Sequence, residues 1–318
     1  MPKNKQDLIE SRMVKDNLVS KWGLLPSSIF KVDWSKSKNI ELTGREYQQH
    51  KDKVIERYGD KSYGLSGVGA RHGDLSRFPQ DLGTFLVNFY CKDNGFVVDP
   101  FAGHNSRAEF VWRSHRNYIG FDISHKFIEL NNKVKELLYK ENTIIKNEHT
   151  IEFIEHDSRY MLEKVSENIA DFIITSPPFY DIEDYGPEAQ QLSNCKTYTE
   201  FMYGLEHVFS NCYKILKDEC FIAIECNDFR KNGIFYLYHS DTISRLQRIG
   251  FTIHDIIVVD YGAGFLRSFA SEMEQYKIVS KEHSYIIVGR KYMKKNESNK
   301  EVKKGLSIKH KLIINLMH

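Results

Sequence analysis

Val97-Val98-Asp99-Pro100-Phe101-Ala102-Gly103-His104-Asn105-Ser106 is the stretch on which the fold turns. With Phe96 ahead of it, its first half is a short apolar run that reads as a buried strand. Its second half is a turn containing a glycine, and residues 105–115 then show helical spacing. In an open α/β sheet such a strand-to-helix junction lies at the carboxyl end of the strand, where ligands bind. Gly103 lets a ligand approach the backbone, and the start of the next helix offers unpaired N–H groups.

Working outward, the alternation repeats. Upstream, Leu82, Phe85, Leu86 and Phe89 fall at helical spacing over residues 80–89. Downstream, residues 118–122 read as a second strand, and Ser124 reads as the cap of a helix reaching about residue 139. Residues 151–154, 172–175 and 221–225 follow as strands, with helices expected over 158–165 and 198–216. Residues 252–259 and 284–288 are two β-rich stretches without a long helix between them. The pattern predicts a doubly wound, mostly parallel sheet with an antiparallel pair at its edge. Residues 1–75 are polar and mixed in charge, with a helix expected over 43–58 and a glycine-rich loop at 64–69. They read as an N-terminal extension that contacts substrate, residues 76–290 as the α/β domain, and residues 291–318 as a basic tail.

Acids close three successive strands. Asp99 ends the first, Asp122 ends the second, where an acid suits a pair of ribose hydroxyls, and Asp157 follows the third, where it suits an adenine amino group. Taken singly, Asp122 or Asp157 is an ordinary helix N-cap; three at one sheet edge point to a ligand. The fourth strand runs into Ser176-Pro177-Pro178-Phe179-Tyr180-Asp181. The two prolines stop the strand and hold the backbone rigid. A hydroxyl, a fixed proline carbonyl and an aromatic ring together suit a planar group bearing an amino substituent: the oxygens accept the amine hydrogens and the ring stacks on the base.

Asp99-Pro100-Phe101-Ala102-Gly103 followed by Ser176-Pro177-Pro178-Phe179 resembles the S-adenosylmethionine-dependent amino-methyltransferases of DNA, the N4-cytosine and N6-adenine group. The resemblance covers roughly residues 75–290. It implies a Rossmann-like class I methyltransferase fold, with S-adenosylmethionine as cofactor and duplex DNA with a flipped base as partner. It also implies cofactor contacts at Phe78, Pro79, Asp99, Phe101, Gly103, Asn105, Asp122 and Asp157, and catalytic roles for Ser176, Pro177, Pro178 and Phe179. Arg77-Phe78-Pro79-Gln80-Asp81-Leu82 looks like the family's segment that closes over the methionine part. Family members commonly carry a second glycine and a threonine where this chain has His104-Asn105-Ser106; Asn105 still suits a left-handed turn or the methionine carboxylate. Serine ahead of the prolines looks more like the cytosine-N4 members, so cytosine is the preferred expectation. Adenine N6, an RNA base, and a non-catalytic nucleic-acid binder of the same fold are the alternatives.

Composition trims the field. The five cysteines form no CxxC pair, which argues against a disulfide framework or a zinc finger and for a reducing cytoplasm. No Pro-Cys dipeptide presents the thiol that the resembling C5-cytosine enzymes use. Histidines occur singly, so no metal is expected. A nicotinamide oxidoreductase is disfavoured because GxGxxG is absent and Ser-Pro-Pro-Phe would have no role. No apolar run approaches the ~18 residues of a membrane span, and the polar start is no signal peptide. The formal net charge is +2, but nine Lys/Arg and two Asp/Glu from Arg290 onward make the tail +7 and the rest −5. That tail suits either a solvated terminus or phosphate contact. Residues 260–267, glycine-rich with aromatics and one Arg, suit a base-contacting loop or an ordinary edge hairpin. The oligomeric state is left open, a homodimer included.

Overall fold

A computed structural model describes residues 16, 17, 20, 21, 26–33, 78–103, 107–145, 147–180, 188, 190–262, 270–279 and 281–293. The helix expected over 43–58, the glycine-rich loop at 64–69, and Arg77, Asn105 and Asp181 lie outside them.

Eight strands make one sheet, ordered β1 (Ile29–Lys31), β9 (Thr252–Asp260), β10 (His283–Arg290), β6 (Leu216–Cys226), β5 (Ala170–Thr175), β2 (Phe96–Asp99), β3 (Asn117–Asp122) and β4 (Ile151–Glu155). β7 (Phe229–Lys231) and β8 (Ile234–Tyr236) form a separate antiparallel hairpin. The helices are α1 (Gln80–Tyr90), α2 (Arg107–Arg113), α3 (His125–Ile145), α4 (Tyr198–Ile215), α5 (Tyr238–Ile249) and α6 (Ala270–Tyr276). The antiparallel pair expected at the sheet's edge is β9 with β10; β10 also pairs antiparallel with β6, and every other neighbour is parallel. β1 lies outermost, parallel to β9, so the sheet draws a strand from the segment read as an N-terminal extension.

The two-residue period of a strand sorts its side chains onto two helical layers. Val97, Phe172, Ile174 and Ala223 face a core built with Leu82, Leu86, Phe110, Trp112 and Leu138 of α1, α2 and α3. Val98, Ile173, Ile222 and Ile224 face a second core with Phe201, Leu205, Phe209 and Leu246 of α4 and α5. β5 is buried along its whole length, as a central strand covered on both faces must be. α4 opens on a capping box, Thr197 bonding the Glu200 N–H while the Glu200 side chain returns to the Thr197 N–H.

One helix came out shorter than expected. Residues 158–165 form a 3-10 stretch, Ser158–Glu163, broken at Tyr160. The Asn211 side-chain amide of α4 takes the Arg159 carbonyl at 2.7 Å, an acceptor that a continuing α-helix would need.

The basic tail begins later than its charge suggests. The Lys291 ammonium is buried, donating to the Leu216 carbonyl at 2.6 Å and to Asn168 Oδ1 at 3.0 Å, while Arg290 pairs with Glu219 at 2.7 Å. These two cations fasten β10 to the start of β6. Among the described residues no helix is long and apolar enough to cross a membrane.

Candidate active site

The loops singled out in the sequence leave the sheet from the carboxyl ends of β2, β3, β4 and β5, four adjacent parallel strands. Asp99 closes β2 with no solvent exposure. Its Oδ1 accepts from the Phe101 N–H at 3.1 Å and the Thr175 hydroxyl at 2.7 Å. Its Oδ2 accepts from Arg107 Nε at 2.5 Å and the Tyr118 phenol at 2.9 Å. All the acceptor sites of the carboxylate are then in use. Asp99, expected among the cofactor contacts, is therefore a knot inside the protein. It joins the glycine loop to Thr175, the last residue of β5. Burial and the Asp99 charge push the Tyr118 phenol well above its ordinary range.

Arg107 ties the knot to the segment before α1. It also donates to the Phe101 carbonyl and stands 5.8 Å from the centre of the Phe78 ring. That ring packs against Phe110 at 5.6 Å and is buried. Pro79, in the N-cap position of α1, is itself extended, its ring holding φ at −60° where the helix begins. Phe78 and Pro79 thus meet the glycine loop through α2, turned into the core.

Gly103 and Asp122 do come together. Gly103 has φ of 54°, a left-handed conformation that costs any other L-residue roughly 1–2 kcal/mol. Its N–H donates to Asp122 Oδ2 at 2.8 Å, and its carbonyl accepts from Asn131 of α3 at 2.7 Å. Asp122 Oδ1 accepts from the Ser124 N–H at 2.8 Å. The carboxyl is pushed up to about 6, by burial first and by the nearby Asp99 charge, against the lowering effect of those two N–H bonds. Phe101 and Asp122 remain half-buried at this edge.

Asp157 is closed by its neighbour. It accepts from the Arg159 N–H at 2.9 Å and holds that residue's guanidinium through Nε at 3.0 Å and Nη2 at 2.6 Å. Asp157, expected to meet an adenine amine, thus has both carboxylate oxygens paired with the Arg159 guanidinium. Ser158 beside it donates to the Pro100 carbonyl at 2.5 Å, tying the third loop to the first.

The Ser176–Phe179 loop is braced from two sides. Pro177 and Pro178 are buried, and the Tyr238 phenol donates to the Pro178 carbonyl at 3.5 Å. Phe179 is half-buried, edge-on to Phe229 at 6.2 Å. Tyr180, considered as a second base-stacking ring, is buried among Tyr198, Phe201 and Tyr236, its phenol donating to the Lys196 carbonyl at 3.1 Å. It is a wall of the site.

Sequence reasoning passed over Glu225. It lies one residue before the end of β6, and the Ser176 side chain is among the groups that favour its charged form. It also accepts from the Tyr261 phenol and from Ser284 Oγ at 3.1 Å. Burial pushes its carboxyl above the usual range. An acid near the end of another parallel strand was the same signal that picked out Asp99 and Asp122. Tyr261 belongs to the glycine-rich 260–267 stretch; it turns inward to Glu225, and residues 263–267 lie outside the described residues.

The cysteines are unsuited to nucleophilic work. Burial raises all five thiols, Cys91 to about 12, so no thiolate forms near neutral pH. Among the described residues no group of His, Cys, Asp and Glu could hold a metal ion.

Residues 6–133 and 170–313 match the N6/N4 family described as DNA methylase. The Type II methyltransferase M.MthZI of Methanothermobacter thermautotrophicus is 33% identical over 134 residues, which are 39% of this chain and 36% of that protein. The Type II beta methyltransferase M.BslI of a Bacillus species is 33% identical over 60 residues, 19% of this chain and 7% of its own length. The matched segments thus span about a third of the first relative and less of the second. Among solved structures, a candidate DNA modification methylase of Thermus thermophilus, complexed with S-adenosyl-L-methionine, is 21% identical. It covers 46% of this chain and 57% of its own, with a TM-score of 0.33. A SAM-dependent methyltransferase of Methanosarcina mazei is 10% identical over 66% of this chain and 98% of its own, with a TM-score of 0.45. The family match spans both the glycine loop and Ser176–Phe179, and the chain belongs to the N6/N4 family of DNA methylases.

Proposed function

We propose that the chain transfers a methyl group from S-adenosylmethionine to the exocyclic amine of a base flipped out of DNA, with cytosine N4 as the preferred target. The observation that carries this reading is the Asp99–Thr175 bond, which holds the glycine loop and the Ser176–Phe179 loop in one register. Two features fit the cofactor. A side chain at Gly103 would meet only ordinary contacts, the Phe101 carbonyl at 3.8 Å and Arg107 at 3.9 Å, so no atom crowds the turn. The half-buried Asp122 carboxylate accepts one N–H on each oxygen, which leaves a second lone pair on each for the ribose hydroxyls. Phe101 offers apolar surface beside it. Asp99, Asp157, Phe78 and Pro79 act by holding these loops in place.

When bound, S-adenosylmethionine supplies an electrophilic sulfonium methyl. The chain's own residues present the nucleophile. A stacked base hides its amine, so the base must leave the duplex. In this reading the Ser176 hydroxyl turns its hydrogen toward Glu225, whose charge it favours, and its oxygen lone pairs accept one amine hydrogen. The Pro177 or Pro178 carbonyl accepts the other; Tyr238 bonds only one of the two acceptor sites of the Pro178 carbonyl. Withdrawing both hydrogens localises the nitrogen lone pair for in-line attack, and Phe179 stacks on the base. Glu225 is a positioning residue that also takes the proton: as the amine hydrogen passes to Ser176 Oγ, the Ser176 proton passes to the Glu225 carboxylate.

The experiment is expression in a host free of DNA methylation, followed by nucleoside mass spectrometry and single-molecule sequencing. N4-methylcytosine at a defined site is expected. N6-methyladenine alone moves the target to adenine, and unmodified DNA overturns the reading.

The Asp122 carboxyl sets a pH dependence. Its folded value of about 6 lies above that of the unfolded chain, so it stays protonated over a range where a free aspartate is ionised. Stability therefore falls as pH rises into that range, while ligand affinity rises, because only the ionised form accepts two hydroxyls. S-adenosylmethionine affinity measured by calorimetry is expected to weaken as pH drops through about 6, and Asp122→Asn should flatten that profile. A wild-type profile as flat as the variant's would refute the contact.

The tail prediction starts where the body ends. Deleting residues 294–318 removes seven cations and leaves Arg290 and Lys291 in their body contacts. DNA affinity and its salt dependence are expected to fall with cofactor affinity unchanged; equal loss of both, or of neither, counts against a DNA-contacting tail.

A further inference from the structure

The β7–β8 hairpin takes no part in the main sheet. Its turn, Asn232-Gly233, has φ of 49° and 80°, the double left-handed geometry of a type I′ turn, which gives a tight two-residue loop. A two-stranded hairpin is marginal on its own. This one is rooted by a stacked pair, Phe229 on Tyr236 at 4.9 Å, which packs on Phe179 and Tyr180 of the catalytic loop. The root is fixed by the residues that would hold the base.

Beyond the root, the hairpin is apolar and basic. Ile234 and Phe235 are 58% and 45% exposed there, and Leu237, just after β8, is 52% exposed. The Arg230 guanidinium lies 5.2 Å from the Phe235 ring, and the Lys231 ammonium 5.2 Å from Tyr180. From Phe229 to Leu237 there is no acidic residue. Two exposed apolar side chains beside the turn, with exposed Leu237 just past the root, are costly in water unless something covers them. Cations beside them, with no acid among them, match a polyanion whose interior is apolar, which describes a duplex opened at one step.

We propose that the β7–β8 hairpin is the element that enters duplex DNA beside the target base. Ile234 and Phe235 fill the space the extruded base leaves, and Arg230 and Lys231 meet the flanking phosphates. This rests on the reading that the chain methylates DNA, and it adds which surface opens the duplex. The hairpin and the Ser176–Phe179 loop share one aromatic root, so an inserted tip and an extruded base would be held at a fixed separation.

The test compares the parent with Ile234→Ser/Phe235→Ser and, separately, Arg230→Gln. Substrates are a duplex oligonucleotide carrying the site found by sequencing, the same duplex with the target base mispaired, and the single strand. A mispaired base needs less help to leave the stack. The double variant is expected to lose about tenfold or more in kcat/KM on the paired duplex and to recover most of it on the mispaired and single-stranded forms. Arg230→Gln should weaken duplex binding and flatten its salt dependence. Melting temperature and cofactor affinity, which report folding, should stay at parent values. A parent that modifies no DNA defeats the functional reading itself. An active parent with a double variant equally impaired on all three substrates, or on none, defeats the hairpin proposal alone. So does a variant that changes only the oligomeric state, since the tip would then cover a second copy of the chain.

Discussion

Ser176→Ala is expected to lower kcat by roughly 10²–10³-fold, the cost of removing one preorganised hydrogen-bonding group from a charge-developing centre. The Kd for S-adenosylmethionine should hold, because Ser176 lies on the other loop from Gly103 and Asp122. Glu225→Gln separates the serine from the carboxylate behind it. Glutamine keeps the shape and can still bond Ser176, but it cannot take a proton. At saturating cofactor the wild-type kcat should fall on the acid side as Glu225, held above the ordinary carboxylate range, becomes protonated. The charged and acidic groups around it are Arg107 from α2, Tyr261 after β9 and the hydroxyls of Ser176 and Ser284. In the Gln variant that acid limb should vanish along with most of the rate. A variant with a lower rate and an unchanged limb would show that Glu225 only shapes the site. Saturating cofactor keeps the Asp122 titration out of this measurement.

Asp99→Ala is expected to cost ~3–5 kcal/mol of folding stability, read by urea denaturation, because it strands the buried Arg107 without its counter-charge. It also releases the Tyr118 phenol and the Thr175 hydroxyl. Thr175→Val isolates the link between the two loops. It removes one hydrogen bond, worth about 1 kcal/mol, and leaves the ion pair intact. It also cuts the only Asp99 bond that reaches β5 among the described residues. If the methyl donor and the amine are aligned by that link, kcat should fall by around tenfold or more, out of proportion to the stability change. A stability loss below about 1 kcal/mol in Asp99→Ala would contradict the knot; an unchanged kcat in Thr175→Val would contradict its role in alignment.

The repeating strand–helix order was readable because apolar spacing is a local property, and β2, β3, β5 and α4 fell where it placed them. The hairpin was readable too: Asn232-Gly233 between Arg230-Lys231 and Ile234-Phe235 is a turn signal, though an 8-residue element between a long strand and a helix is easily passed over. The shortened 158–163 helix was not, since it depends on Asn211, distant in sequence, claiming a carbonyl. The placement of β10 inside the sheet, with β9 and then β1 beyond it, likewise follows from pairings no local pattern records.

By itself the sequence determined the alternation of strands and helices from β2 to β6, the two loops that leave β2 and β5, and the acids Asp99, Asp122 and Asp157, because each is written in a few neighbouring residues. Only the tertiary structure decided what those acids do. Asp99 is paired with Arg107, Tyr118, Thr175 and its own loop, and Asp157 with Arg159, while Asp122 keeps a half-buried carboxylate and Glu225 accepts from Tyr261 and Ser284. A carboxylate's role is set by which donors fill its lone pairs, and those donors come from strands and helices up to 76 residues away.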